Sequence, residues 1–330
     1  PPRSTLFPYT TLFLSGRRKF MALLISFSMI FSAMVSIPAK VFAEGVDIPS
    51  FPDFVLNDDS SVKATWDKGT QTLTVKGNGK IKIEKWVQLA KKFSADNYNG
   101  KKFGWNTNSN FTMDIADKTV KFPDDTAYKQ GEDIHGFFES FKGEIKINRE
   151  MDTSNVTSMK SMFFGATNAN PDVSKWDTSN VINMSYMFNQ AKNANPDVSR
   201  WDTSKVTTMF GMFYHATNAN PDVSKWDTSK VTTMFGMFLS AKNANPDVSK
   251  WDTSKVTDMS HMFYNAKNAN PDVSKWNTSN VTNIKEMFAF SGAVELDLSN
   301  WDISKITENE SAFKDTSKLE FLSFKKLPKK

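Results

Sequence analysis

"NANPDVSKWDTSKVTTMFGMF", residues 218–238, carries two periodicities, and the backbone assigned to each decides the fold. Ala219, Pro221 and Val223 alternate with Asn220, Asp222 and Ser224, a period of two that turns one side of a short strand inward. Pro221 donates nothing to a sheet ladder, so the strand is predicted to run for only about two or three residues. Past Trp226, Asp227-Thr228-Ser229 supplies side chains that cap helix starts, and Val231, Met234, Met237 and Phe238 follow at steps of three and four. That spacing predicts an amphipathic helix of about three turns.

The stretch is one copy among many. Trp176, Trp201, Trp226, Trp251, Trp276 and Trp301 stand 25 residues apart without an insertion, and Met151 holds the preceding equivalent place. In the last copy Val294, Leu296 and Leu298 fill the strand positions. Further back, "FFESFKGEIKINRE" (137–150) aligns Phe137-Phe138 with Met162-Phe163, so residues 126–150 read as a degenerate capping repeat and 151–325 as seven copies, the last partial. A strand and a helix in 25 residues cannot bury both apolar faces alone, so each copy must stack on its neighbours. The expected fold class is therefore α/β: a curved, leucine-rich-repeat-like solenoid of 25-residue strand–helix repeats, preceded by a small mixed α/β module.

That module covers residues 44–125. In "SVKATWDKGTQTLTVKGNGKIKI" the alternation of Leu73 with Val75 and of Ile81 with Ile83, punctuated by glycine turns, reads as short antiparallel strands. Trp86, Leu89, Ala90 and Phe93 are spaced for one helix, and Ile115, Val120 and Phe122 return to a strand pattern. Ahead of it, "RRKFMALLISFSMIFSAMVSIPAKVFA" (17–43) has the basic start, apolar run and small terminal residue of a signal peptide, with cleavage expected after Ala43. Residues 1–16 lack continuity with that signal and read as a non-native leader, and 326–330 as a basic tail.

Each repeated column has a role. The methionines from Met159 to Met259 and Met162 to Met287, the phenylalanines from Phe163 to Phe313 and the tryptophans read as core. Asp172, Asp197, Asp222, Asp247, Asp272 and Asp297, with Ser174, Ser199, Ser224, Ser249 and Ser274, alternate with core residues and face outward; these are the candidate ligand-binding residues. Like charges on adjacent rungs repel, and Lys175, Arg200, Lys225, Lys250 and Lys275 follow at the matching period, which predicts an ion ladder. A second column, Asp177, Asp202, Asp227, Asp252, Asn277 and Asp302, is placed to cap helices or turns.

Composition narrows the chemistry. The formal charge is +5, but much of the excess lies in Arg17-Arg18-Lys19 and the last six residues, which leaves the repeats without the basic stripe that nucleic acid demands. Absence of cysteine excludes disulfides, thiol catalysis and cysteine metal sites. His135, His215 and His261 fall at non-equivalent places, so no histidine site repeats, and no unique constellation of catalytic groups interrupts the ladder. The expectation is no enzyme, no metal and no cofactor.

The strings "WDTSKVTTMFGMFYHA" and "WDTSKVTDMSHMFYNA" closely resemble the signature of BspA-family surface proteins, whose repeat also occurs as a domain of unknown function in Gram-positive bacteria and mycoplasmas. "TLTVKGNGKI" and "VKFPDD" are similar to the region preceding such repeats. The resemblance implies an exported, non-enzymatic leucine-rich-repeat-like protein associated with adhesion. In most copies of this chain, alanine and proline replace the family's strand leucines. The expected function is thus a secreted or cell-surface protein that binds a host or neighbouring-cell protein or glycan through its repeated outer face. It would touch membrane only through the signal peptide during export. The alternative is a structural or cation-stabilised spacer.

Overall fold

The computed structural model describes residues 50–93, 112–130, 133–148 and 150–324, all within the unit Gly45–Lys330. The expected leader (1–16), signal peptide (17–43) and basic tail (326–330) lie outside the described residues.

Alternation builds the amino-terminal sheet. β1 (Phe51–Val55) pairs antiparallel with β2 (Val62–Asp67), which pairs antiparallel with β3 (Thr72–Gly77) across a turn closed by Asp67, whose Oδ1 accepts the amide of Gly69 at 2.8 Å. β4 (Gly79–Lys80) leads into α1 (Ile83–Lys92), where Trp86, Leu89 and Ala90 are buried as their spacing predicts. β5 (Thr112–Ile115) joins β3 in parallel, β6 (Val120–Lys121) pairs with β4, and β7 (Ala127–Gln130) and β8 (Asp133–Gly136) form a hairpin. β9 (Glu144–Ile147) completes the five-stranded sheet β1-β2-β3-β5-β9. Register lines up two core rows across it, Ala64/Val75/Ile115/Ile147 and Trp66/Leu73/Met113/Ile145. Trp86 ties α1 to the repeats: its Nε1 donates to the carbonyl of Phe137 at 2.8 Å and its ring stacks on Phe137 at 4.0 Å.

The repeats are not strand–helix units, and the expected α/β leucine-rich-repeat-like solenoid is overturned. Among the described residues α1 is the one helix, and within 151–324 the strands are β10 (Glu295–Leu298) and β11 (Phe321–Phe324). Where a helix was expected, overlapping four-residue turns occur. In the second copy the amides of Met187, Asn189 and Ala191 donate to the carbonyls of Met184, Tyr186 and Phe188. Tyr186 and Gln190, third in the first and last of these turns, have φ of 58° and 57°, the type II geometry. The intervening amides leave the copy: those of Met184, Tyr186, Phe188 and Gln190 donate to the carbonyls of Thr208, Phe210, Met212 and Tyr214 at 3.2, 2.8, 2.9 and 2.7 Å. A helix would spend every one of these amides on its own carbonyls four residues back. Here half of them join neighbouring copies, which is what allows a 25-residue unit without regular structure to have its buried backbone satisfied. Left-handed φ at a non-glycine residue costs about 1–2 kcal/mol, and the four cross-copy hydrogen bonds per unit act against that cost.

The expected strand is also missing from most copies. Asn170, Asp172 and Ser174 do face out and Ala169, Pro171 and Val173 in, but the ladder there is made by side chains: the amide of Asn195 donates to Asn170 Oδ1 at 2.9 Å, and Asn220, Asn245 and Asn270 continue the series. Proline has no amide to add to a backbone ladder, and the asparagine before it supplies the cross-copy bond instead, its side-chain oxygen accepting the next copy's amide. In the last copy leucine replaces proline, and β10 forms and pairs parallel with β11.

The core columns are where the sequence puts them. The repeated methionines are buried, and phenylalanines from Phe138 to Phe313 stack at 5.3–5.8 Å with planes within 10°. Trp201, Trp226 and Trp251 stack at 6.4 and 6.5 Å, and each Nε1 donates to a valine carbonyl of the preceding copy at 3.1 Å. One parallel bridge per copy, Ser158 to Asn183 to Thr208 and on to Glu308, keeps the register.

Candidate functional site

The Asp/Ser column lies on the outside, and its polar atoms close local turns. In Asp172, Asp197, Asp222, Asp247 and Asp272, Oδ1 accepts both the amide (3.0–3.1 Å) and the hydroxyl (2.6–2.7 Å) of the serine two residues on, Ser174, Ser199, Ser224, Ser249 and Ser274. Asp297 accepts the amide of Ser299 at 2.9 Å and the hydroxyl of Ser323. Those serine bonds hold the carboxyls of Asp222 and Asp247 below their ordinary value; the neighbouring Asp247 pushes Asp222 the other way by less. The ion ladder does not form: Lys175 pairs with Glu150 at 3.1 Å, and no ion pair within 4 Å links Asp197, Asp222, Asp247 or Asp272 to Arg200, Lys225, Lys250 or Lys275. Serine hydroxyls and amides are the first cause that holds these carboxyls low, and the charges of Lys225 and Lys250 add to it without forming an ion pair.

The second column behaves in the same way. Asp177, Asp202, Asp227, Asp252, Asn277 and Asp302 accept the amide two residues on at 2.9–3.1 Å, capping turns and no helix. The threonines between them are buried, and their hydroxyls donate to the carbonyl of the next copy's Asp or Asn at 2.9–3.0 Å.

A different face separates the copies from one another. Residue after residue in the repeat is constant, but the type II turn segment changes: Lys160, Ser185, Phe210, Phe235, Ser260 and Lys285 share one place, and Ser161, Tyr186, Gly211, Gly236, His261 and Glu286 the next. The varied side chains meet. Ring centroids run from Tyr186 to Phe210 (5.0 Å), Phe235 (4.4 Å), His261 (5.3 Å), Tyr264 (5.9 Å) and Phe290 (5.4 Å), each ring half-buried. His261 Nε2 lies 3.1 Å from Glu286 Oε2, and burial holds the imidazole below its ordinary value. Burial also pushes the Tyr186 hydroxyl up to about 12. Tyr186 lies across Gly211, where a Cβ would come within 2.9 Å of the ring. Lys267 donates to the carbonyl of Phe290 at 2.8 Å and sits over its ring at 5.8 Å, as does Lys314 at 5.8 Å.

The consensus of the copies does not display this strip, and His261, at a place no other histidine shares, belongs to no repeated site. Subtracting the copies from one another marks it: the places that carry the strip are those where residues 25 apart disagree. The arrangement offers contact area and charge, and among the described residues no group of three or more His, Asp or Glu is placed to hold a metal ion.

The family described as "Mycoplasma protein of unknown function, DUF285" matches residues 132–247 and 236–323, more than half of the chain. No curated protein and no solved structure matches it.

Proposed function

This chain belongs to the family of Mycoplasma proteins of unknown function, DUF285, and on that premise we propose that it is a secreted or cell-surface, non-enzymatic repeat protein that binds a macromolecule of a host or neighbouring cell. The finer kinship with BspA-like surface proteins, and with it export and adhesion, belongs to the same proposal. One observation carries it. Constant residues in every copy are consumed in building the scaffold, in the core, in turns and in side-chain ladders, and variation is concentrated on one partly exposed face. Repeat proteins that recognise partners place their differences between copies in that way, because a constant scaffold fixes the spacing of side chains that are free to differ.

The test is binding of the recombinant chain to immobilised extracellular-matrix proteins, mucins and glycans. Saturable binding to at least one of them is the expected result, and a panel on which nothing binds removes the reading.

A further inference from the structure

We propose that the aromatic strip from Tyr186 to Phe290 is a docking surface for an acidic, extended polypeptide segment of the partner. This rests on the reading of the chain as a binding protein and names where and what it binds. Three features select the occupant.

The strip is apolar in its centre, where Phe210 and Phe235 replace the serines that Ser185 and Ser260 put at the same place. Half-buried aromatic rings in a continuous line are the side chains from which interface anchors are most often made. Ile182, exposed, adds an apolar group where six other copies have threonine.

Four of the strip's rings already have a face covered. Phe210 and Phe235 lie face to face at 4.4 Å and 15°, Tyr186 lies across Gly211, and Phe290 has two ammonium groups over it. A pyranose or a nucleobase needs an open ring face on which to stack. Where a face is covered the rim is what remains to a partner, and an aromatic rim carries the positive end of the ring's quadrupole. It suits carboxylate and carbonyl oxygens together with aliphatic or aromatic side chains, the groups of a peptide.

One margin is basic, while Glu286 within the strip is paired to His261. Lys142 and Lys267 each reach the carbonyl of the turn one copy on, Gly165 and Phe290, at 2.9 and 2.8 Å, and Lys192 and Lys242 occupy the same column of the repeat. Burial, with Lys192 and Lys242 adding to it, holds the His215 imidazole below its ordinary value, as a field of positive charge does. Such a margin favours an acidic partner and steers its approach. At ~4.8 Å per rung the four steps from the copy of Tyr186 to that of Phe290 span about 19 Å, the reach of roughly six extended residues.

The experiment uses the whole chain and three probes: a random Glu/Tyr copolymer, heparin and oligo(dT), titrated at low and at physiological salt. The copolymer is expected to bind, more weakly as salt rises. Phe210→Ser with Phe235→Ser is expected to weaken it by about tenfold or more, and Lys192→Gln with Lys242→Gln to remove most of its salt dependence. Asp222→Asn with Asp247→Asn should leave it unchanged. The serine pair copies what neighbouring copies already contain, and Tyr186→Ser, which reproduces Ser161, serves as a second variant if the pair melts early. Tighter binding of heparin or oligo(dT) than of the copolymer overturns the proposal, as does copolymer binding indifferent to the serine variants or lost in the Asn pair. A panel ligand that binds the serine variants as well as the parent removes this surface but leaves the binding function standing; a panel on which nothing binds removes the function instead.

Discussion

Thr228 shows what a single constant residue does. Its side chain is buried, and its hydroxyl donates to the carbonyl of Asp252 at 2.9 Å, one bond in a ladder that runs through the copies. Thr228→Val keeps the shape and removes the donor, so it should lower unfolding free energy by about 1 kcal/mol, with Thr228→Ser close to the parent; denaturant midpoints for the pair check this, and equal loss in both would mean that the methyl, not the bond, matters. The aspartates act at the same scale through charge. Asp202, Asp222, Asp227 and Asp247 are held low by serine hydroxyls and amides, and Asp152 falls to about 2 through Lys121 and Ser154. A carboxyl whose pKa falls on folding stabilises the fold fully above its unfolded value and loses that contribution as pH drops through the folded value. The denaturation midpoint should therefore begin to fall below about pH 6.5, where the unfolded chain protonates His215 and His261 more readily than the fold does, and fall further between about pH 4 and 2 as the carboxyls protonate. A midpoint with no further fall down to about pH 2 would show that the serine bonds do not bias the carboxyls.

At the scale of the element, the turn segment is both the misread feature and the source of the strip. Gly211 sits at φ +56°, and a Cβ there would meet the Tyr186 ring at 2.9 Å. Gly211→Ala is expected to cost about 1–2 kcal/mol from left-handed backbone and the displaced ring together. In Tyr186→Ser the same substitution should cost less, leaving the backbone part alone, and a double-mutant cycle by chemical denaturation reads the difference. A coupling of zero would mean that the ring gives way freely. The misreading has a physical cause. Overlapping turns and an α-helix both bring residues three and four apart to one side, so Val181, Met184, Met187 and Phe188 fall inward in either, and the sequence identified the core while leaving the backbone undecided. Gly211 and Gly236 were the local sign against a helix, since both occupy left-handed positions, but Ser161, Tyr186, His261 and Glu286 hold the same conformation without glycine and conceal it. The strand failed for a cause that the sequence did display: Pro171 and its equivalents cannot donate, and only the last copy, with Leu296, makes β10. The Asp/Ser column was legible as outward-facing, but its internal bonding was not, because the sequence does not say whether a carboxylate meets a serine two residues on or a lysine three on.

At the scale of the molecule the cross-copy hydrogen bonds run both ways, those of the turn segment forward and those of the Trp and Asn columns back. From Phe138 to Phe290 the amides of the turn segment donate toward the next copy and the carbonyls accept from the one before. Each copy is then stabilised through two neighbours, and a lesion is felt according to how many interfaces it touches. Phe213 is fully buried between Phe188 and Phe238, at 5.6 Å from each, while Phe313 at the last rung is only half-buried. Phe213→Ala should cost about 3–5 kcal/mol, the range for an emptied aromatic site, and should do so by weakening both the interface before it and the one after. Phe313→Ala, at a half-buried ring, should cost less than half as much and leave the main transition in place. Equilibrium denaturation followed by tryptophan fluorescence separates the cases, since Trp201 and Trp226 flank Phe213 in the sequence and report the middle of the repeats. Equal destabilisation by the two substitutions would mean that the repeats unfold as one indivisible core, and that the nearest-neighbour ladder described by the hydrogen bonds does not govern their stability.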